Sequence, residues 1–161
     1  MNLIYKIADK NNIDDLVDLK IKQILFNYNR DGLIITNENE LREKIKKVLI
    51  QELNKTIYFF VAIDTNINKC IACNGVIIHQ MIPDKKSYIT SVYTEEKYRC
   101  MGIQNNLMKK ILEFLEKIEC KKIELDAVNP HAIKLYEKFG FQKDNEKYVL
   151  NKNLVNSSVK H

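Results

Sequence analysis

Two short stretches of this chain carry residue types that can do chemistry at a useful spacing. The first is Tyr98-Arg99-Cys100-Met101-Gly102-Ile103-Gln104-Asn105. Ahead of it, Tyr88 to Thr94 is rich in β-branched and aromatic residues and reads as a strand. Behind it, Ile103, Leu107, Ile111, Leu115 and Ile118 recur at the steps of one buried helical face. A strand that feeds a helix through a tight turn leaves the first N–H groups of that helix without partners. Those groups, with the positive end of the helix dipole, suit an anion such as phosphate. Arg99 adds a charge-assisted donor at the same mouth. Taken alone, the pattern also fits a plain helix start with a surface arginine.

The second stretch holds Asn129, Ala132, Leu135-Tyr136 and Gly140-Phe141. A phenol with an ordinary pKa of about 10 suits protonation of a departing thiolate. On spacing alone Tyr136 reads rather as a core residue of an amphipathic helix, beside Ile133 and Phe139. Together the two stretches resemble the GNAT acetyltransferase superfamily, whose members acetylate amines from acetyl-CoA. The family's phosphate-cradling signature is Arg or Gln, two variable residues, Gly, one variable residue, then Gly or Ala. Here it reads Arg99-Cys100-Met101-Gly102-Ile103-Gln104. The later signature keeps its spacing, and Val92-Tyr93-Thr94 looks like the strand end of one bacterial branch. The resemblance covers residues 57–151. Gln104 departs from the pattern, so its side chain either crowds the pyrophosphate or hydrogen-bonds it.

The resemblance implies an α/β (α+β) GNAT fold: a mixed, mostly antiparallel sheet with a splayed parallel strand pair and about four flanking helices. It implies acetyl-CoA as co-substrate and no metal. The turn amides of Cys100, Met101, Gly102, Ile103, Gln104 and Asn105, with Arg99, would hold the diphosphate. Val92 and Thr94 would pair with the pantetheine arm, and a backbone N–H near Tyr93 would face the developing oxyanion. Asn129 would bind CoA or open strand backbone, and Tyr136 would act as general acid. Glu95, Glu96, Asp126 and His79 are candidates for the base, and nothing in their spacing selects one. The acceptor is a primary amine of a small molecule or protein, attacking directly in a ternary complex. The alternative is a noncatalytic acyl-CoA-binding module of the same fold.

A chain of 161 residues is long enough to bury a core as one domain, expected over 1–154 with a frayed tail at 155–161. The net charge of +5 comes from scattered lysines interleaved with glutamates, which argues for a solvated surface rather than a nucleic-acid face. The longest apolar run, Ile57 to Ile63, is too short to span a bilayer, and Met1 to Asn11 lacks the apolar core of a signal peptide. A cytoplasmic protein with no membrane partner is expected, and homodimerisation through an edge strand is left open. Cys70 and Cys73 have metal-type spacing but no second pair, and read as small apolar packers. Cys100, at the helix start beside Arg99, is either unusually reactive or simply fills a variable turn position.

The remaining elements follow from periodicity and punctuation. Leu3 to Ile7 reads as a strand, and Asn12 as the cap of a helix whose apolar face includes Leu16, Val17 and Leu25. Phe26 to Ile35 looks irregular, with a turn at Asp31-Gly32, and by resemblance residues 28–36 border the acceptor site. Asn37 and Glu40 form a capping-box pattern ahead of a second helix. Ile57 to Ile63 and Cys70 to Gln80 should form a hairpin, with Gly75 at a bulge or close approach. Lys122 to Val128 reads as a strand parallel to the central one, and Pro130 to Gly140 as a helix. Phe141 and Tyr148 to Leu150 read as the last strand pieces.

Overall fold

The computed structural model describes residues 1–32 and 34–144. Five strands form one sheet in the order β1-β2-β3-β4-β5: β1 Leu3–Ile7, β2 Ile57–Asp64, β3 Lys69–Gln80, β4 Lys85–Thr94 and β5 Cys120–Leu125. Neighbours pair antiparallel except β4 and β5, which are parallel and joined through a helix. Four α-helices are described: α1 Ile13–Asp31, α2 Glu38–Glu52, α3 Ile103–Lys117 and α4 Pro130–Lys138. The residues fall into two compact units, 1–126 and from Ala127 onward, so α4 is described by itself. No helix among the described residues is long and apolar enough to cross a membrane.

Alternation along β2 divides the core into two layers. Phe59 and Val61 pack with Leu16, Val17, Leu19, Ile21 and Leu49 of α1 and α2. Phe60 points the other way, as successive strand residues must, and its ring meets Phe114 of α3 edge-on at 5.5 Å. The buried residues of α3 are Ile103, Leu107, Met108, Ile111 and Leu115, the face expected from the periodicity. At full burial such a helix contributes roughly 1.5–3 kcal/mol per large side chain, which is what anchors its N-terminus against the sheet.

Local chemistry corrects several expectations. Asn12 does not cap α1: Asp9 caps a short 3-10 turn at Lys10–Asn12, and the Asn12 side chain instead accepts from the Asp9 N–H at 3.0 Å. α1 runs on through Phe26 to Asp31 before Gly32, at φ 71°, ends it. Helical continuation satisfies backbone groups that a loop would leave to water, and this outweighed the irregular apolar pattern. β4 begins at Lys85 rather than Tyr88, and β5 ends at Leu125 rather than Val128. Phe141 is not in a strand; its N–H donates to the Tyr136 carbonyl at 3.1 Å, closing α4. Tyr148 to Leu150 and the expected tail lie outside the described residues.

Gly75 is where close approach governs. A Cβ there would sit 3.0 Å from the Phe59 ring and 3.1 Å from the Thr90 carbonyl oxygen. The ring can shift but the backbone oxygen resists. Gly75→Ala should therefore destabilise the protein by about 1–3 kcal/mol, read as a lower urea midpoint with unchanged slope.

Candidate active site

The site is built on the upper half of β4. Parallel pairing with β5 runs from Lys85–Cys120 to Ile89–Leu125 and stops there. Thr90 to Thr94 continue as strand with β3 on one side only. Within this stretch the β3 register slips: Gly75 faces Thr90 and Cys73 faces Tyr93, so Asn74 alone opposes Ser91 and Val92. Two residues against one is a bulge, and Ser91 adopts the left-handed φ of 55° to make it.

Beyond the bulge the Glu95 N–H donates to the Ile71 carbonyl at 2.9 Å. Antiparallel pairs alternate between those that exchange hydrogen bonds and those that do not. Tyr93–Cys73 is thus a bonded pair and Thr94–Ala72 is not. The Thr94 N–H and carbonyl face the open edge, while the Tyr93 N–H faces β3. Any donor "near Tyr93" must then be a neighbour, Val92 or Thr94.

The chain next makes a 3-10 turn at Glu96–Tyr98, held down by the Tyr98 hydroxyl donating to Asp64 at the end of β2, 2.7 Å away. That hydrogen bond keeps the Asp64 carboxyl below its usual pKa. Cys100 and Gly102 take left-handed φ values of 62° and 74°, and Gly102 opens α3 with no side-chain cap. A Cβ on Gly102 would meet nothing within 4 Å, so the ground in front of the helix start is open. The first-turn amides of Ile103 and Gln104 thus have neither an intrahelical acceptor nor a cap. Arg99 lies across this mouth. Its Nε donates to the Thr94 carbonyl at 3.1 Å, and its guanidinium rests 5.2 Å from the Phe26 ring centroid and 5.8 Å from that of Tyr93. Among the described residues no carboxylate pairs with Arg99, which keeps its charge available to an anion.

Gln104 turns away from this mouth. Its Nε2 donates to Thr94 Oγ1 at 3.0 Å and to the Tyr93 carbonyl at 3.1 Å, and its Oε1 accepts from Asn74 Nδ2 at 3.2 Å. The side chain staples α3 to β3 and β4 at the bulge. It reaches into the sheet instead of the space before the helix, which neither sequence alternative anticipated.

The base candidates separate by position. Glu95 forms an ion pair with Lys22 of α1, and Glu96 is exposed on the 3-10 turn. His79 is exposed and opposes Lys86, about 13 Å along the strand from Thr90. Asp126 follows Leu125, the last β5 residue paired to β4, and accepts from the Tyr88 hydroxyl at 2.5 Å. Burial, then that hydrogen bond, pushes the Tyr88 phenol up to about 12. In the second unit, the Asn129 side chain caps α4 by accepting from the His131 N–H at 2.9 Å. Tyr136 is buried, its ring 6.0 Å from Phe141, and burial raises its pKa. Cys70 and Cys73 are buried free thiols, both pushed up to about 12 chiefly by desolvation.

Residues 21–141 match the model of the acetyltransferase (GNAT) family. The chain belongs to the GNAT acetyltransferase family. It is 34% identical over 87 residues to human N-alpha-acetyltransferase 30, a match spanning 49% of this chain and 24% of that protein. Over 62 residues it is 32% identical to the spermine/spermidine N(1)-acetyltransferase of Bacillus subtilis (strain 168), spanning 37% of this chain and 41% of that one. The chain thus matches well under half the length of either relative. Its fold resembles that of a predicted acetyltransferase from Clostridium acetobutylicum solved with acetyl-CoA, at TM-score 0.78 and 24% identity, covering 93% of this chain and 96% of that one. Glucosamine-6-phosphate N-acetyltransferase from Arabidopsis thaliana shares the fold at TM-score 0.67 and 14% identity, covering 94% and 99%.

Several residues of this GNAT site escaped sequence reasoning. Ser91, at the bulge, and Tyr88, just before the fork where β4 and β5 part, owe their places to strand register. Asn74 did carry a signal, as a polar residue inside the apolar run Cys70 to Ile78. It is fully buried, and among the described residues its Oδ1 has no partner and its Nδ2 donates to Gln104 alone. Gln104→Ala should therefore lower unfolding free energy by about 1–3 kcal/mol by orphaning that amide. Urea unfolding measures the loss, and acetyl-CoA binding should not tighten.

Proposed function

We propose that this GNAT protein transfers an acetyl group from acetyl-CoA to a primary amine in a ternary complex. One observation carries the reading: the strand that loses its parallel partner at Ile89 leads directly to an uncapped helix start behind Gly102. An extended amide chain ending in a diphosphate needs both features in that order. The single family match runs through Asp126 without a break, which supports reading 1–154 as one domain.

Residues divide the work by chemistry. Arg99 and the amides from Cys100 to Asn105 receive the diphosphate. Val92 and Thr94 present backbone groups to the pantetheine arm, and one of their N–H groups, rather than that of Tyr93, faces the carbonyl oxygen as negative charge develops. Such a donor is worth about 3 kcal/mol. Asp126, oriented by Tyr88, is the best placed of the four base candidates: it stands at the fork and its oxygen is already directed. Tyr136, kept protonated by burial, supplies the proton to the departing thiolate, and Asn129 starts the helix that carries it. Gln104 turned into the sheet removes the obstruction on which the noncatalytic alternative relied.

Two relatives are named for N-alpha-acetylation and for acetylation of spermine and spermidine, which supports a primary amine as the acceptor. Exposed Phe26, Tyr28 and Ile34 around the α1–α2 connection offer an apolar rim for it.

Thiol release from acetyl-CoA across a panel of polyamines and free-N-terminus peptides tests the reading. Tyr136→Phe should lower kcat by about 10²-fold or more with little change in KM. Acetyl-CoA binding without turnover on any amine would favour the noncatalytic module instead. Asp126→Asn should cost a similar factor in kcat/KM with little change in acetyl-CoA affinity. A kcat/KM within about threefold of wild type would take the role from Asp126.

A further inference from the structure

One buried charge in the first unit has no place in the chemistry above. Lys20 lies partly buried on α1, and its Nζ donates to Ser91 Oγ at 2.7 Å and Gln23 Oε1 at 3.0 Å. Both partners are neutral. Among the described residues no carboxylate pairs with it, although Lys22 on the same helix pairs with Glu95 and Lys69 of β3 pairs with Asp15. Burial lowers the Lys20 pKa, with the Cys73 sulfur acting in the opposite sense. A desolvated cation without an anion is a poor source of stability, and an apolar side chain of like size often serves the fold as well or better.

Its partner is the residue that makes the bulge. A non-glycine residue in the left-handed region is unfavourable by about 1–2 kcal/mol, so Ser91 needs tethers. It has one at each end: Lys20 holds Oγ, and Cys73 Sγ donates to the Ser91 carbonyl at 3.3 Å. The consequence reaches the open edge. A bulge shifts register by one, and a one-residue slip reverses which way every following residue faces. Without the bulge, the Thr94 amide would turn to β3 and that of Tyr93 would turn out.

We infer that Lys20 is a positioning residue for acyl transfer, acting through Ser91 to hold the β4 bulge that directs the open-edge amides at Val92 and Thr94. This rests on the acetyltransferase reading above. Of the other charged groups nearby, Lys22 and Glu95 pair with one another and Arg99 holds the Thr94 carbonyl, so Lys20 is the cation bonded to the bulge residue itself.

The test uses full-length Lys20→Met, Ser91→Ala and the double variant, assayed with acetyl-CoA and whichever amine of the panel supports wild-type turnover. Each single change should lower kcat by about tenfold or more, while acetyl-CoA, still held at its diphosphate, should lose affinity by a smaller factor in calorimetry. The double variant should be no worse than the poorer single one, since both remove one contact. The melting temperature of Lys20→Met should hold or rise. A Lys20→Met enzyme within about threefold of wild-type kcat would overturn the inference and leave the transferase reading standing. Losses that multiply in the double variant, with a falling melting temperature, would make Lys20 a residue of the fold only and overturn it too. Should Lys20→Met fail to fold, Ser91→Ala decides alone, and normal kcat there counts against the inference. A wild type silent on every amine removes both readings together.

Discussion

The structure depends on an unmet demand for hydrogen bonds. Buried backbone N–H and C=O groups almost always find partners, yet β4 runs five residues past its last pairing with β5. β5 does not follow because its chain leaves the strand after Leu125, while β4 is kept extended to Thr94 by β3 on its other side. The open edge is therefore imposed by its neighbours. A molecule carrying its own amides is the natural complement to such an edge.

Around that gap the surrounding elements serve to fix direction. α3 is anchored by its apolar face, so its N-terminal amides cannot swing away from the end of β4. The Tyr98–Asp64 hydrogen bond holds the intervening turn to β2, and Gln104 ties the first helical turn to both β3 and β4. Arg99 is held by one hydrogen bond and two aromatic faces, an arrangement that immobilises a guanidinium without neutralising it. Together they turn a flexible strand-to-helix connection into a rigid cradle, which is what differential stabilisation of charge requires.

Gln104 shows how a motif departure can mislead. In the sequence it occupies a small-residue position of the phosphate signature, so both readings assumed that its side chain points at the ligand. In the fold it is the first-turn residue nearest Asn74, a buried amide that needs a partner. Satisfying Asn74 decides its rotamer. The two unusual residues, one on β3 and one on α3, compensate each other, and neither would be expected without the other.

Much was legible in the sequence because it followed from local rules. The 3.6-residue apolar period set the buried face of α3, turn residues set the β2–β3 hairpin, and Gly102 marked the start of α3. Asn129 and Gly140 bounded α4 by their capping chemistry. Other features had no local signature. The left-handed Ser91, the single-residue register slip opposite Asn74, the outward parity of Thr94 and the meeting of Tyr88 with Asp126 all depend on which residues lie across from one another. Register is a relation between strands distant in the chain, set by whole-face burial rather than by any one residue. The sequence determined that a helix would start behind Gly102, while only the tertiary structure decided which backbone groups beside it would be left facing outward.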